Sequence, residues 1–136
     1  MSRAQAVERI EAYFDEGGFV EDLTRRVAIK TESQNPERHA VLHDYLNAEM
    51  GPLLDGMGYE RQILDNPVAG RGPLMLAQRH ESDDLPTMLM YGHGDVVNGY
   101  DDQWREGLSP WVLTQEGDRL YGRGTADNKG QHSINL

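Results

Sequence analysis

The chain contains no cysteine among its 136 residues, and basic residues are scarce: 13 Lys and Arg stand against 23 Asp and Glu, a formal charge of −10. Without cysteine, disulfides and thiolate metal sites are excluded, so any metal would be bound by His, Asp or Glu. The shortage of clustered Lys and Arg argues against nucleic acid and anionic membranes as partners. No apolar run approaches the roughly 18 to 20 residues of a membrane helix. We therefore expect a cytoplasmic protein.

Three stretches in the first 57 residues have the apolar spacing of helices. The pattern predicts a helix over residues 3–15, a shorter helix over 19–27 and a third helix over 36–57. Pro52 lies inside the third stretch. Because a proline inside a helix removes one hydrogen bond and clashes with the carbonyl four residues earlier, we expect a kink there.

After residue 58 the pattern changes to short runs separated by Pro, Gly and acidic turns, which predicts strands over 59–64, 74–78 and 87–91. The last of these is almost wholly apolar, as is typical of a central strand covered on both faces. A hairpin is predicted where 111–114 and 119–121 flank a turn. Helices followed by strands indicate an α/β fold in one domain.

A histidine and an aspartate follow the last predicted central strand directly, in the order Gly92-His93-Gly94-Asp95. In open α/β sheets the carboxyl ends of strands border the binding crevice, so this position favours a functional site. His93 and Asp95 point to the same side of an extended segment. Asp95 could therefore support one ring nitrogen while the other faces a metal. The alternative is a loop histidine beside a turn or capping aspartate.

A glycine-rich stretch, residues 121–130, reads Tyr-Gly-Arg-Gly-Thr-Ala-Asp-Asn-Lys-Gly. The two carboxylate oxygens of Asp127 could bridge two cations held a few ångström apart. The alternative is that Asp127 or Asn128 only caps the following helix. Phosphate-binding loops are excluded, because Lys129-Gly130 lacks the Ser or Thr of a Walker loop and a dinucleotide fingerprint needs glycine where Asp127 stands.

Other candidate residues have simpler explanations than catalysis. Trp104 and Trp111 lie in a polar loop that we expect them to pin by packing; the alternative is that they stack on a substrate. Arg123 either binds a substrate carboxylate or pairs with one of the many acids. We do not expect the remaining histidines to be metal ligands; they are His39, His43, His80 and His132.

Four blocks of the sequence, in this order and spacing, resemble one family. They are Met-Leu-Met-Tyr-Gly-His-Gly-Asp-Val-Val at 88–97, Trp104, Ser-Pro-Trp at 109–111, and Gly-Asp-Arg-Leu-Tyr-Gly-Arg-Gly-Thr-Ala-Asp-Asn-Lys-Gly at 117–130. The family is that of the co-catalytic zinc hydrolases, which includes glutamate carboxypeptidase, aminoacylase, succinyl-diaminopimelate desuccinylase and carnosinase-type dipeptidases. The helices predicted before residue 58 suit the family's opening segment. The resemblance therefore covers nearly the whole chain.

The resemblance implies a zinc-dependent hydrolase of peptide or N-acyl amino acid amide bonds, in which two zinc ions, or cobalt or manganese, activate water. It implies an α/β catalytic domain with helices packed on a mixed sheet. His93 would be a ligand to one zinc, Asp95 the catalytic-site partner that orients it, and Asp127 the carboxylate that bridges both metals. A cis peptide bond between Asp127 and Asn128 is also implied.

The family has further parts that these 136 positions do not contain. A glutamate pair after the bridging aspartate supplies the general base and a ligand, a further acid and a distant histidine complete the metals, and a second domain is inserted. We therefore expect residues 1–136 to be a single, truncated N-terminal part of the catalytic domain, without the lid or dimerisation domain and the C-terminal half. Alone it should bind zinc weakly, catalyse nothing and self-associate through exposed apolar surface. The alternative is a non-catalytic acidic interaction or assembly module derived from such an enzyme.

Overall fold

A computed structural model describes residues 2–136 of the chain, and Met1 lies outside the described part. The helices before the first strand are α1 (Arg3–Asp15), α2 (Gly18–Ala28), α3 (His39–Asp44) and α4 (Gly51–Gly56). The strands and the last helix are β1 (Glu60–Leu64), β2 (Leu74–Gln78), β3 (Thr114–Glu116), β4 (Arg119–Tyr121) and α5 (Lys129–Ile134). A π-helical segment, Tyr45–Met50, joins α3 to α4.

The three helices predicted before residue 58 are confirmed. The first has the predicted bounds, and its N-terminus is capped by Ser2, whose side chain accepts a hydrogen bond from the Gln5 backbone N–H. In the third, the irregular turn is the π-helical segment directly before Pro52. Pro52 itself lies in the first turn of α4, where its missing N–H is least costly. None of the helices within residues 2–136 is long and apolar enough to cross a membrane.

The core forms where α5 packs on α2 and meets the helical stretch that ends with α4. Its buried apolar side chains are Leu23, Val27, Leu42, Tyr45, Met50, Leu54, Val96 and Trp111. The helix α1 contributes no buried residue to this core, and Ile10 and Phe14 on its apolar stripe stay exposed. It lies against α2 through Phe14 and Phe19, whose ring centroids are 5.8 Å apart.

The described strands form two separate antiparallel pairs, and the sheets within residues 2–136 are small. Together with the helices, these strands confirm the α/β class. The strands β1 and β2 pair from Glu60 with Gln78 to Leu64 with Leu74. The predicted hairpin is confirmed as β3 and β4, with the second strand as predicted; the first strand begins at Thr114 and includes residues predicted as turn, so that the tighter turn contains Gly117 at φ +62°. A single parallel bridge joins Glu32 to Val96, next to the predicted site.

The prediction of a buried central strand over 87–91 is wrong for the described chain. Within residues 2–136 this segment forms no strand, and Leu89 is 92% and Met88 81% exposed. A central strand needs a hydrogen-bonded partner on both edges and apolar cover on both faces. Its composition suits that environment, but the described residues do not supply the partners.

Candidate metal centre

The structure brings His93, Asp95 and Asp127 together around one imidazole ring. The His93 Nδ1 atom lies 3.2 Å from Asp95 Oδ1 and 3.1 Å from the Asp95 backbone oxygen. On the other side of the ring, His93 Nε2 lies 3.1 Å from Asp127 Oδ1. Both aspartates are more exposed than the ring, which is half-buried. Each ring nitrogen therefore faces a different carboxylate.

This arrangement suits a bound cation. When Asp95 accepts the Nδ1 proton of a neutral ring, the Nε2 lone pair points at the Asp127 oxygen, and two acceptors in contact need a proton or a cation between them. Zinc binds His nitrogen and carboxylate oxygen at about 2.0 to 2.2 Å, so two of its tetrahedral ligands lie about 3.4 Å apart. His93 and Asp127 fit as two ligands of one ion. Residues 2–136 contain no group of three or more His, Asp or Glu side chains that could hold a metal by themselves.

The segment with His93 and Asp95 is attached to the residues that follow α2. The Thr31 hydroxyl donates a hydrogen bond to the Gly94 carbonyl. The Val96 N–H donates to the Thr31 carbonyl at 2.9 Å, and the Ser33 N–H donates to the Val96 carbonyl at 3.1 Å. Thr31 and Val96 are both buried. These bonds fix the chain on the C-terminal side of His93.

The helix α5 holds the backbone of His93 itself. Asn128 Oδ1 accepts a hydrogen bond from the His93 N–H at 3.1 Å, and His132 Nδ1 lies 3.1 Å from the His93 carbonyl oxygen. Asn128 stands at the N-cap position of α5, but its side chain makes no capping hydrogen bond there. The capping alternative for Asn128 is therefore wrong. Sequence reasoning missed this use of Asn128 because its partner lies 35 residues away.

His132 is buried beside the site and bonded on both sides of its ring. Its Nε2 atom lies 2.7 Å from the Tyr45 hydroxyl. Burial lowers the pKa of His132 to about 4, and the positive charge of Arg26 adds to this effect, so the ring is neutral at pH 7. We did not expect a role for His132 or Tyr45 from the sequence, and only the helical spacing of Tyr45 in an apolar stripe indicated that it would be buried.

Lys129 and Arg26 join α5 to α2 beneath the site. The fully buried Lys129 donates hydrogen bonds from Nζ to the carbonyls of Arg26 and Ile29, at 2.8 and 2.6 Å. Burial lowers its pKa to about 7. The buried Arg26 side chain bonds Ser133 on α5 and donates from Nε to Glu49 at 3.1 Å. These contacts fix the helix that begins two residues after Asp127.

A cavity of about 260 Å³ opens next to the His93 ring and includes Asp95, Asp127 and Arg123 in its lining. Arg123 donates to the Gly99 carbonyl at 3.0 Å, and its guanidinium stacks on Trp104 at 5.5 Å from the ring centroid. Arg123 forms no ion pair with an acid of residues 2–136. The residues that line the cavity therefore include two aspartates and one arginine.

The remaining sequence candidates lie where packing explains them. The indole N–H of Trp104 donates to the Gly99 carbonyl and that of Trp111 to the Asp101 carboxylate, so both tryptophans pin the loop as expected. His43 and His80 contact exposed aspartates at 3.8 and 3.3 Å, away from the site. The peptide bond between Asp127 and Asn128 is cis, as the resemblance implies.

A family model, curated relatives and a solved structure all indicate the same family. The family described as peptidase family M20/M25/M40 matches residues 89–136. A Beta-Ala-His dipeptidase of Mus musculus is 33% identical over 91% of this chain, and an acetylornithine deacetylase of Myxococcus xanthus is 33% identical over 79%. The crystal structure of human carnosine dipeptidase 1 superposes with a TM-score of 0.78 at 30% identity, over 93% of this chain.

The chain spans about a quarter of the length of these relatives: 27% of both curated proteins and 28% of the human structure. The matched family region includes His93, Asp95 and Asp127. The relatives are peptidases and amidohydrolases, and this chain belongs to the peptidase family M20/M25/M40.

Proposed function

We propose that this chain is the N-terminal part of the catalytic domain of a zinc-dependent, cytoplasmic hydrolase that cleaves the amide bond of dipeptides or N-acyl amino acids. The observation on which this rests is the contact of His93 Nε2 with Asp127 Oδ1 at 3.1 Å, with Asp95 on the opposite ring nitrogen. Two of the relatives act on substrates of these two classes, by their names: a dipeptidase and a deacetylase.

Each residue of the centre has a distinct task in this proposal. Asp95 accepts the Nδ1 proton of His93 and so keeps the Nε2 lone pair directed at the metal. Asp127 is 84% exposed, which leaves its second oxygen free to reach another cation. When bound, zinc lowers the pKa of its water to about 7 and polarises the substrate carbonyl.

Arg123 is the residue of the cavity that suits a substrate carboxylate. Arg123 lines the same cavity as His93 and Asp127, and a planar guanidinium binds carboxylates with two parallel hydrogen bonds. Dipeptides and N-acyl amino acids both have a free carboxylate next to the amide. We propose that Arg123 orients this carboxylate so that the amide faces the metal.

Zinc titration of the 136-residue chain tests the metal part of the proposal. Wild-type chain should bind Zn²⁺ weakly, and His93→Gln and Asp127→Asn should each lower the affinity by tenfold or more, because each removes one of two ligands. His80→Gln is the matched control, since His80 is exposed and lies in a separate ion pair with Asp83. Equal zinc affinity of the His93→Gln and wild-type chains would refute the proposed ligand set.

Activity and gene sequence test the other parts. The chain alone should not hydrolyse β-alanyl-histidine, because no third ligand or glutamate base joins His93 and Asp127 within residues 2–136. Turnover by the purified chain would show that it needs no further catalytic residues.

Reading the gene past the codon for Leu136 should reveal a glutamate pair and a late histidine, and an immediate stop codon would contradict the catalytic-domain proposal.

We propose that the chain also self-associates through residues 88–91. Met88, Leu89 and Tyr91 are each more than three-quarters exposed and, with Met90, form a continuous apolar stretch. Such stretches associate to remove apolar surface from water. Sedimentation velocity should show dimers or larger species at high concentration, and a strictly monomeric profile would contradict this.

A further inference from the structure

One helix, α5, holds both backbone polar groups of His93. The His93 N–H donates to Asn128, and its carbonyl accepts from His132 Nδ1, each at 3.1 Å. Asp127 directly precedes Asn128. The helix that holds the backbone of one proposed ligand therefore begins next to the other, so its position determines how the two side chains meet.

The hydrogen bonds of His132 have a fixed direction. A carbonyl oxygen can only accept, so the proton of the neutral His132 ring is on Nδ1, where it is donated to His93. Nε2 is then an acceptor, and the Tyr45 hydroxyl donates to it at 2.7 Å. Tyr45 and His132 are 2% and 7% exposed, so water does not compete for these groups. The His93 carbonyl thereby sets the tautomer of His132, and the Tyr45 hydroxyl satisfies the remaining ring nitrogen.

The glycines on both sides of His93 fit this cluster. A Cβ atom on Gly92 would lie 2.6 Å from His132 Cβ, and one on Gly94 would lie 2.1 Å from a ring carbon of Tyr45. Both distances are too short for any side chain. The two glycines therefore allow His132 and Tyr45 to approach the His93 backbone closely.

We propose that His132, whose second ring nitrogen is satisfied by Tyr45, is a positioning residue for the metal centre: it fixes the His93 carbonyl and so directs the His93 ring toward Asp127. This rests on the proposed function, in which His93 and Asp127 bind the metal. A histidine that served only to fill the core would have no need of a particular nitrogen on the His93 side.

Two substitutions of His132 separate positioning from packing. In His132→Asn the amide nitrogen takes the place of Nδ1 and still donates to His93, whereas in His132→Gln the amide lies near the place of Nε2 and the bond to His93 is lost. Zn²⁺ affinity should fall about tenfold in His132→Gln, the lower end of the range for partners of metal ligands, and by less than threefold in His132→Asn. The thermal midpoints of the two variants should be similar.

Equal losses of affinity in the two variants, or a larger loss in His132→Asn, would overturn the positioning role. A second measurement needs no variant: ¹⁵N NMR of the wild-type chain at pH 7 should show His132 as the Nδ1–H tautomer. Finding the Nε2–H tautomer would overturn the proposal even if His132→Gln does not fold. If zinc leaves the His93 ring signals unchanged, the proposed function fails, and the tautomer measurement still decides whether His132 holds the His93 carbonyl.

Discussion

Two adjacent stretches of the chain, residues 87–91 and 92–95, differ in how they are held. The first is apolar and exposed, and has no strand partner within residues 2–136. The second is polar and glycine-rich, yet Asn128 and Thr31 bond to it and the Tyr45 ring lies against Gly94. Hydrophobic composition alone therefore does not order a strand, whereas a few hydrogen bonds and close glycine contacts order a loop.

The largest expected effect comes from breaking the close approach at Gly94. In Gly94→Ala the new methyl group would overlap the Tyr45 ring, and relief of this overlap should cost about 3 kcal/mol of the free energy of unfolding. Urea denaturation measures this. Gly56→Ala is the control, because that position has open space and ordinary helical backbone, and it should stabilise by about 0.5 kcal/mol. Equal stability of Gly94→Ala and wild type would mean that Tyr45 can move aside.

A smaller effect on stability is expected from breaking the ion pair of Arg26, whose side chain also bonds α5. Glu49→Gln leaves the buried Arg26 guanidinium without its closest charged partner. The free energy of unfolding should fall by about 2 kcal/mol, less than the 3 to 5 kcal/mol of a fully buried pair because Glu49 keeps some exposure. Asp55→Asn, in an exposed pair with Arg61, is the control and should change the urea midpoint little. A reversed order would contradict the importance of Arg26 for the site.

The comparison can be extended to α1, which contributes no buried residue to the core and lies against α2. The Tyr13 hydroxyl donates to Asp22 at 2.7 Å, and burial together with this bond and the Asp22 charge raises the pKa of Tyr13 to about 12. The folded chain then keeps a proton that the unfolded chain loses near pH 10. The contribution of the Tyr13–Asp22 hydrogen bond to the free energy of unfolding is therefore present below pH 10 and lost as the pH rises toward 12.

Its size should be below about 1 kcal/mol, because Tyr13 is largely solvated and solvent screens the pair. Urea midpoints measured at pH 9 and 11 for wild type and Tyr13→Phe isolate it from the other titrating groups. The wild type should lose more stability between these pH values than the variant. Parallel losses would mean that Tyr13 titrates alike in the folded and unfolded chains.

The smallest effect on stability is expected in the exposed stretch. Leu89→Lys should change the free energy of unfolding by less than about 0.5 kcal/mol, because the side chain is already in water. It should nevertheless shift sedimentation toward the monomer, as the added charge disfavours association. Leu85→Lys makes the same change at an exposed leucine outside residues 88–91 and should leave association unchanged. Strong destabilisation by Leu89→Lys would show that the stretch is buried in solution.

Local patterns in the sequence predict most of the helices, both strands of the first pair and the hairpin. They also predict that Asp95 lies beside the His93 ring, because the two residues share one side of an extended segment. The bridging role of Asp127 is one of two alternatives that the residues leave open, and the resemblance favours it; its ligand role remains a prediction. Tyr45 and His132, by contrast, meet across 87 residues of chain. A periodic sequence pattern does not predict a contact between residues so far apart. The wrong prediction of a strand over 87–91 shows that apolar composition alone does not predict strand partners either.

The exposed stretch before the site is also open to proteolysis. A solvated segment with no strand partner within residues 2–136 is the form of backbone that proteases cleave. Cleavage within 87–91 would leave His93, Asp95 and Asp127 on one fragment and Tyr45 on the other. The nicked protein would then hold its metal-binding fragment in place only by noncovalent contacts, chiefly those between α5 and the N-terminal helices.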